Sequence, residues 1–179
     1  MGDRCSGLNS GRARLRATLK RLNALNDALR IIASLNKEGV NYVVVGGVAL
    51  NLHGLIRATE DLDIFVHPDI ENIARLRQAL RGVWNDPEID QITAEDLCGD
   101  YPAVRYGPPQ GTLYLDILTR LGEATAFADI EIEVKDIEGV LVRLASPRSL
   151  YRMKRDTVRP IDKADAQALQ AAFSLDSES

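Results

Sequence analysis

Asp61, Asp63, Asp116 and the pair Gly46-Gly47 are the residues whose types and spacing could do chemistry in this sequence. Asp61 and Asp63 stand two apart in Asp61-Leu-Asp-Ile-Phe-Val66, an alternation expected of a half-buried strand, so both carboxylates project from one face. Like charges that close repel, and a fold keeps them only with compensation. A hard divalent cation compensates well, because Mg²⁺ prefers carboxylate oxygens together with substrate phosphates. Taken alone, an Asp-x-Asp pair is common on exposed strands. Asp116 lies in the otherwise apolar run Leu113-Tyr-Leu-Asp-Ile-Leu118, where an unpaired carboxylate is costly to bury. It either faces solvent at a strand end or joins the other two. If its strand pairs beside the first, three carboxylates converge and equip a two-metal site, with ions about 3.5–4 Å apart.

The glycines follow the β-branched run Asn41-Tyr-Val-Val-Val45, read as a buried strand. A short helix over Val48–Leu55 is expected to start directly from them. Backbone N–H groups without side chains can approach a ligand closely, and the helix N-terminus adds partial positive charge, so the turn can seat a phosphate. The same glycines also suit a tight turn with no ligand, since neither a P-loop nor G-x-G-x-x-G is present. One short helix fills the interval to Asp61.

Other elements must hold these residues in place. Leu15, Leu19, Leu22, Leu25, Leu29, Ile32 and Leu35 form the stripe of a long amphipathic helix ending near Gly39. Pro68 and Asp69 start a helix carrying Ile70, Ile73, Leu76 and Leu80. Residues 82–111 are the least regular part, with one strand expected around Ala103–Tyr106. A strand over Thr112–Leu118, a hairpin of Ile130–Val134 and Val140–Leu144, and helices at Pro147–Asp156 and Pro160–Phe173 complete the order. The fold class is α/β (α+β): a mixed β-sheet flanked by helices, in a single domain over residues 11–173 between tails at 1–10 and 174–179.

Composition narrows the choice further. The chain has 179 residues, 45% hydrophobic and 27% charged, which excludes wholesale disorder. No apolar run is long enough to span a bilayer, and the N-terminus lacks the apolar stretch of a secretion signal, so no membrane partner and a cytoplasmic location are expected. Cys5 and Cys98, the two cysteines, are too few for a disulfide framework. The net charge is −4, yet residues 1–30 and the cluster Arg148, Arg152, Lys154, Arg155, Arg159 and Lys163 are basic. Such asymmetry permits a local phosphate-binding surface, although basic helix faces are commonly just solvated.

The ordered set Gly46-Gly47, Asp61-x-Asp63 and a lone Asp116 resembles the signature of the DNA polymerase beta-like nucleotidyltransferase superfamily. More narrowly, GGVALNLHGLIRATEDLD is similar to the pattern of the AbiEii-type nucleotidyltransferase toxins, which include a MenT-like branch that modifies transfer RNA. Leu150-Tyr-Arg-Met-Lys154, Arg159-Pro-Ile-Asp162-Lys-Ala-Asp165 and Leu169 resemble that group's closing segment. The likeness is best over residues 40–66 and 145–170. Two positions depart from it: Gly47 replaces the usual serine hydroxyl, and Lys163 is displaced within the K-D-x-x-D-like stretch.

The resemblance implies that Asp61, Asp63 and Asp116 bind two Mg²⁺ ions. It further implies that Gly46, Gly47, Arg57, Thr59, Lys154 and Asp165 form the nucleotide site, with Asp165 orienting Lys154. Asp116 would accept the proton of the attacking hydroxyl, and the Lys154 ammonium would offset charge as pyrophosphate leaves. Arg57 has an alternative, a salt bridge to Glu60 or Asp61. His53 reads as a structural histidine and His67 as a loop residue. Trp84 and Tyr101 could stack on a base, or Trp84 could edge the core. The expected function is transfer of a nucleoside monophosphate from an NTP to a hydroxyl, with the transfer RNA 3′ end as acceptor and an antitoxin as protein partner. The alternatives are a small-molecule, antibiotic-type nucleotidyltransferase and a non-catalytic binding module on the same fold.

Overall fold

The computed structural model describes residues 24–99, 102–110, 113–121 and 125–175. Helix α1 covers residues 24–37 and strand β1 Tyr42–Val45, with Gly39 at φ +65° turning the chain between them. The Leu15–Leu22 part of the expected first helix and the basic residues Arg12–Arg21 lie outside the described residues. Helix α2 (Gly46–Leu52) begins at the glycines themselves, two residues earlier than the apolar pattern suggests. Strand β2 is Asp61–Val66 and helix α3 Ile70–Val83, capped by the Asp69 side chain, which accepts from the Asn72 N–H at 2.7 Å.

Residues 82–111 hold more structure than the single expected strand. A 3₁₀ turn (Pro87–Gln91) and a short helix α4 (Ala94–Cys98) precede β3, at Ala103–Tyr106 as expected. Aspartate and threonine caps, Asp86 and Thr93, form these turns locally. Strand β4 is Tyr114–Leu118, and β5 (Arg120–Leu121) pairs with β6 (Thr125–Ala126) in a small separate ribbon. The hairpin strands, β7 (Ile132–Ile137) and β8 (Val140–Ala145), close on a two-residue turn of Glu138 and Gly139, with φ +54° and +83°. Positive φ at both turn residues matches the right-handed strand twist. Helices α5 (Pro147–Arg155) and α6 (Pro160–Phe173) each start at a proline.

One mixed six-stranded sheet runs β3-β4-β2-β1-β8-β7. Strands β2 and β4 are parallel, as are β1 and β8, while β1–β2, β3–β4 and β7–β8 are antiparallel. Leu62, Ile64, Leu115, Ile117, Tyr42, Val44 and Leu144 share one face by register, all fully buried. They join the buried residues of α1 and α3 in one core, and the Ser34 hydroxyl ties the two helices by donating to the Ala79 carbonyl at 2.7 Å. The apolar half of the alternation thus fixes which face of β2 and β4 the aspartates take.

Candidate active site

The pairing that decides the site is β2 against β4. Asp63 stands directly opposite Asp116 in that register, and Asp61 opposite Tyr114, so all three aspartates occupy the face opposite Leu62, Ile64, Leu115 and Ile117. Asp63 is also opposite Val45, the last residue of β1, which delivers the glycine turn to its side. Gly46 has φ +64°, and a Cβ there would lie 1.9 Å from Asp63 Oδ2. The carboxylate therefore occupies the space that only a missing side chain provides. The Gly47 N–H donates to it.

Burial, then the charges of Asp116 and Asp61, push the Asp63 carboxyl up to about 6, against the pull of the Gly47 N–H and of Lys154. Asp116 is also raised, by burial first; Arg105 pulls it back and Asp61 pushes it further up. Among the described residues, no three acidic, imidazole or thiol groups close tightly enough to enclose an ion. The donor set nevertheless fits a hard divalent cation, because it offers only carboxylate oxygens and an excess of negative charge. The compensating charge comes instead from Arg105 on β3, which sequence reasoning missed. Its Nη2 donates to Asp61 Oδ1 at 2.6 Å and its Nε lies 3.4 Å from Asp116 Oδ1. An arginine alternating with apolar residues in Ala103-Val-Arg-Tyr106 was the available signal, though it needed the β3–β4 register that puts Arg105 opposite Asp116.

A second cluster gathers the other expected residues. The Lys154 ammonium, on α5, donates to Asp162 Oδ1 at 2.7 Å and to Asp165 Oδ2 at 2.9 Å, both on α6. Arg57 Nε lies 3.3 Å from Asp165 Oδ1, and its Nη1 donates to the Ala58 carbonyl at 2.6 Å. The guanidinium thus ties the α2–β2 connection to α6 rather than serving only its own loop. Arg159 Nε, 3.4 Å away, and the Thr157 hydroxyl, at 3.3 Å, complete the surroundings of Asp162. Burial would raise Asp162, but the Lys154 bond and charge, Arg159 and Thr157 hold it below the usual carboxylate range. Lys154 reaches Asp63 only through space, as a favourable charge.

Thr59 covers the second glycine. A Cβ on Gly47 would meet Thr59 Cβ at 2.7 Å and Oγ1 at 2.9 Å, so a threonine from the next connection fills the space that a side chain at position 47 would need. His53 is structural: its buried ring lies 2.9 Å by Nε2 from the Ala145 carbonyl and 3.0 Å by Nδ1 from Lys135 Nζ. The Ala145 carbonyl can only accept, so Nε2 donates to it. Trp84 is buried with its ring tilted 5.4 Å from Tyr106, at the core edge; Tyr101 lies outside the described residues. His67 is held by Asp69 at 2.8 Å in the loop before α3. In the C-terminal basic cluster, Arg152 faces Glu131, Arg155 faces Asp156 and Arg159 faces Asp162, which balances much of its charge internally.

The family model described as nucleotidyl transferase AbiEii toxin, type IV toxin–antitoxin system, matches residues 27–165, from α1 to Asp165. This chain belongs to the AbiEii nucleotidyltransferase family. Its structure is similar to that of JHP933 from Helicobacter pylori, at 25% identity and a TM-score of 0.50, over 85% of this chain and 66% of that one. It is also similar to an antigenic nucleotidyltransferase-like protein from Paracoccidioides brasiliensis, at 19% identity and a TM-score of 0.52, over 86% of this chain and 76% of the other. The second likeness is one of fold, and the AbiEii chain spans just under two thirds of the Helicobacter protein's length. No curated protein matches it. No helix among the described residues is long and apolar enough to cross a membrane.

Proposed function

We propose that residues 11–173 form a cytoplasmic enzyme that transfers a nucleoside monophosphate from an NTP to a hydroxyl acceptor, with the transfer RNA 3′ end as acceptor and an antitoxin as its restraining partner. The observation carrying this reading is the Asp63–Asp116 register, with Asp61 on the same face and the Gly46–Gly47 turn against Asp63. Asp61, Asp63 and Asp116 would hold Mg²⁺, which when bound supplies Lewis-acid stabilisation of the charge that develops on the phosphates.

The chain's own residues do the rest. Asp116 accepts the proton as the acceptor oxygen bonds to the α-phosphorus, and the bond to the pyrophosphate oxygen breaks. The raised Asp116 carboxyl suits it to take a proton better than an ordinary surface aspartate would. Lys154 has three N–H donors, two of them engaged by Asp162 and Asp165, so one remains for a phosphate oxygen. Arg57, fixed by Asp165, adds charge at the same end of the site. Incubation with each labelled NTP, Mg²⁺ and total RNA tests the reading: label should enter RNA of transfer RNA size and be lost in Asp63→Asn. Label on a small-molecule acceptor instead would select the antibiotic-type alternative, and no transfer to any acceptor would select the binding module.

A further inference from the structure

We propose that Arg105 is the resident counter-ion of the aspartate cluster, occupying in the cation-free protein the place that a divalent ion takes, so that ion binding is an exchange against this guanidinium. The proposal rests on the metal reading given above and concerns the regulation of that same site.

The placement is built into the sheet. Arg105 opposes Asp116 across the antiparallel β3–β4 pair, and Asp61 lies one strand further on. The side chain therefore passes over β4, with its guanidinium 4.9 Å from the centre of the Tyr114 ring, to reach Asp61 Oδ1 at 2.6 Å while Nε stays 3.4 Å from Asp116 Oδ1. One planar cation thus bridges two of the three carboxylates, contributed by two different strands. The same two carboxylates would ligate the ion, and an oxygen cannot serve both partners at full strength. Arg105 is also free to leave: β3 is the sheet's edge strand, and the arginine side chain is 56% exposed. Tyr114, 47% exposed, gives the departing guanidinium an aromatic face on which to rest. Asp63, by contrast, is held by the glycine turn and need not move. Arginine suits this use because it never loses its charge and spans two carboxylates with one rigid fork.

The test is Mn²⁺ binding to the full chain without nucleotide, followed by the electron paramagnetic resonance signal of the free ion, for wild type, Arg105→Gln and Arg105→Lys. Exposed ion pairs are individually weak, so removing two of them should tighten Mn²⁺ binding about three- to tenfold in Arg105→Gln. Arg105→Lys, which keeps the charge, should stay within about twofold of wild type. The melting temperature should fall in Arg105→Gln without metal and return toward wild type when Mn²⁺ is added, which a purely structural arginine would not produce. Equal or weaker Mn²⁺ binding by Arg105→Gln overturns the counter-ion assignment while leaving the metal site standing. Absence of Mn²⁺ binding in all three proteins overturns both.

Discussion

Replacing Asp63 with asparagine should stabilise the metal-free protein, and the gain should depend on pH in a calculable way. Asp63 titrates at about 6 in the fold against 3.8 for the free side chain. The native state therefore holds its proton more tightly than the unfolded chain does, and stability falls as pH rises from about 4 through about 6. A shift of about two pH units corresponds to roughly 3 kcal/mol, all of it lost above about pH 7. Asparagine keeps the size and can still accept from the Gly47 N–H, but it carries no charge to desolvate or to be repelled by Asp116 and Asp61. Asp63→Asn and wild type should thus melt together near pH 3. They should diverge between pH 4 and 6, and differ by roughly 5–10 °C at pH 8 in the absence of divalent ions. Excess Mg²⁺ with NTP should close the gap by stabilising wild type alone. Calorimetry or denaturant titration across that pH range reads the difference directly. A gap that does not vary with pH, or a variant less stable than wild type at pH 8, refutes the idea that these carboxylates are mutually destabilising.

Two further outcomes follow from the surrounding contacts. Gly47→Ser should cost about 1–2 kcal/mol because its Cβ meets Thr59 Cβ and Oγ1, and Thr59→Gly in the same chain, which removes both atoms, should shrink that cost relative to Thr59→Gly alone in urea titrations. Lys154→Met should cost about 3 kcal/mol at pH 7 by stranding Asp162 and Asp165. Because Asp162 is held below the usual range, the stability it brings is present above about pH 4 and lost as pH falls through its folded value, so denaturation curves of the two proteins should converge in acid.

The elements were legible where local pattern decides them. The alternation of Asp61–Val66 and the apolar run before Leu118 place two strands, and Asp69 and Pro147 mark helix starts, because caps and alternation are properties of a few consecutive residues. The side on which Asp116 falls was left as a condition in the sequence, since it depends on which strand β4 joins; the parallel register with β2 resolves it. Arg57 was legible as a charged residue but not by its partner, because Asp165 approaches from the far end of the chain. Arg105 carried no motif at all. Its role arises from the order of strands at the sheet edge, which no short-range pattern encodes. The glycine pair was read as a phosphate seat, and what the fold adds is that Gly46 already makes room for Asp63.

The tie between Arg57 and Asp165 spans 108 residues, and that between Arg105 and Asp61 spans 44. Contacts so distant along the chain form late in folding, because the intervening loops must close first. During synthesis the sheet and α5 emerge from the ribosome before α6, which follows them along the chain. At that stage Lys154 and Arg57 have no Asp165, and their end of the site is unbuilt. A nascent chain therefore cannot assemble this site before α6 has emerged, so the site is completed only after every strand of the six-stranded sheet has been made.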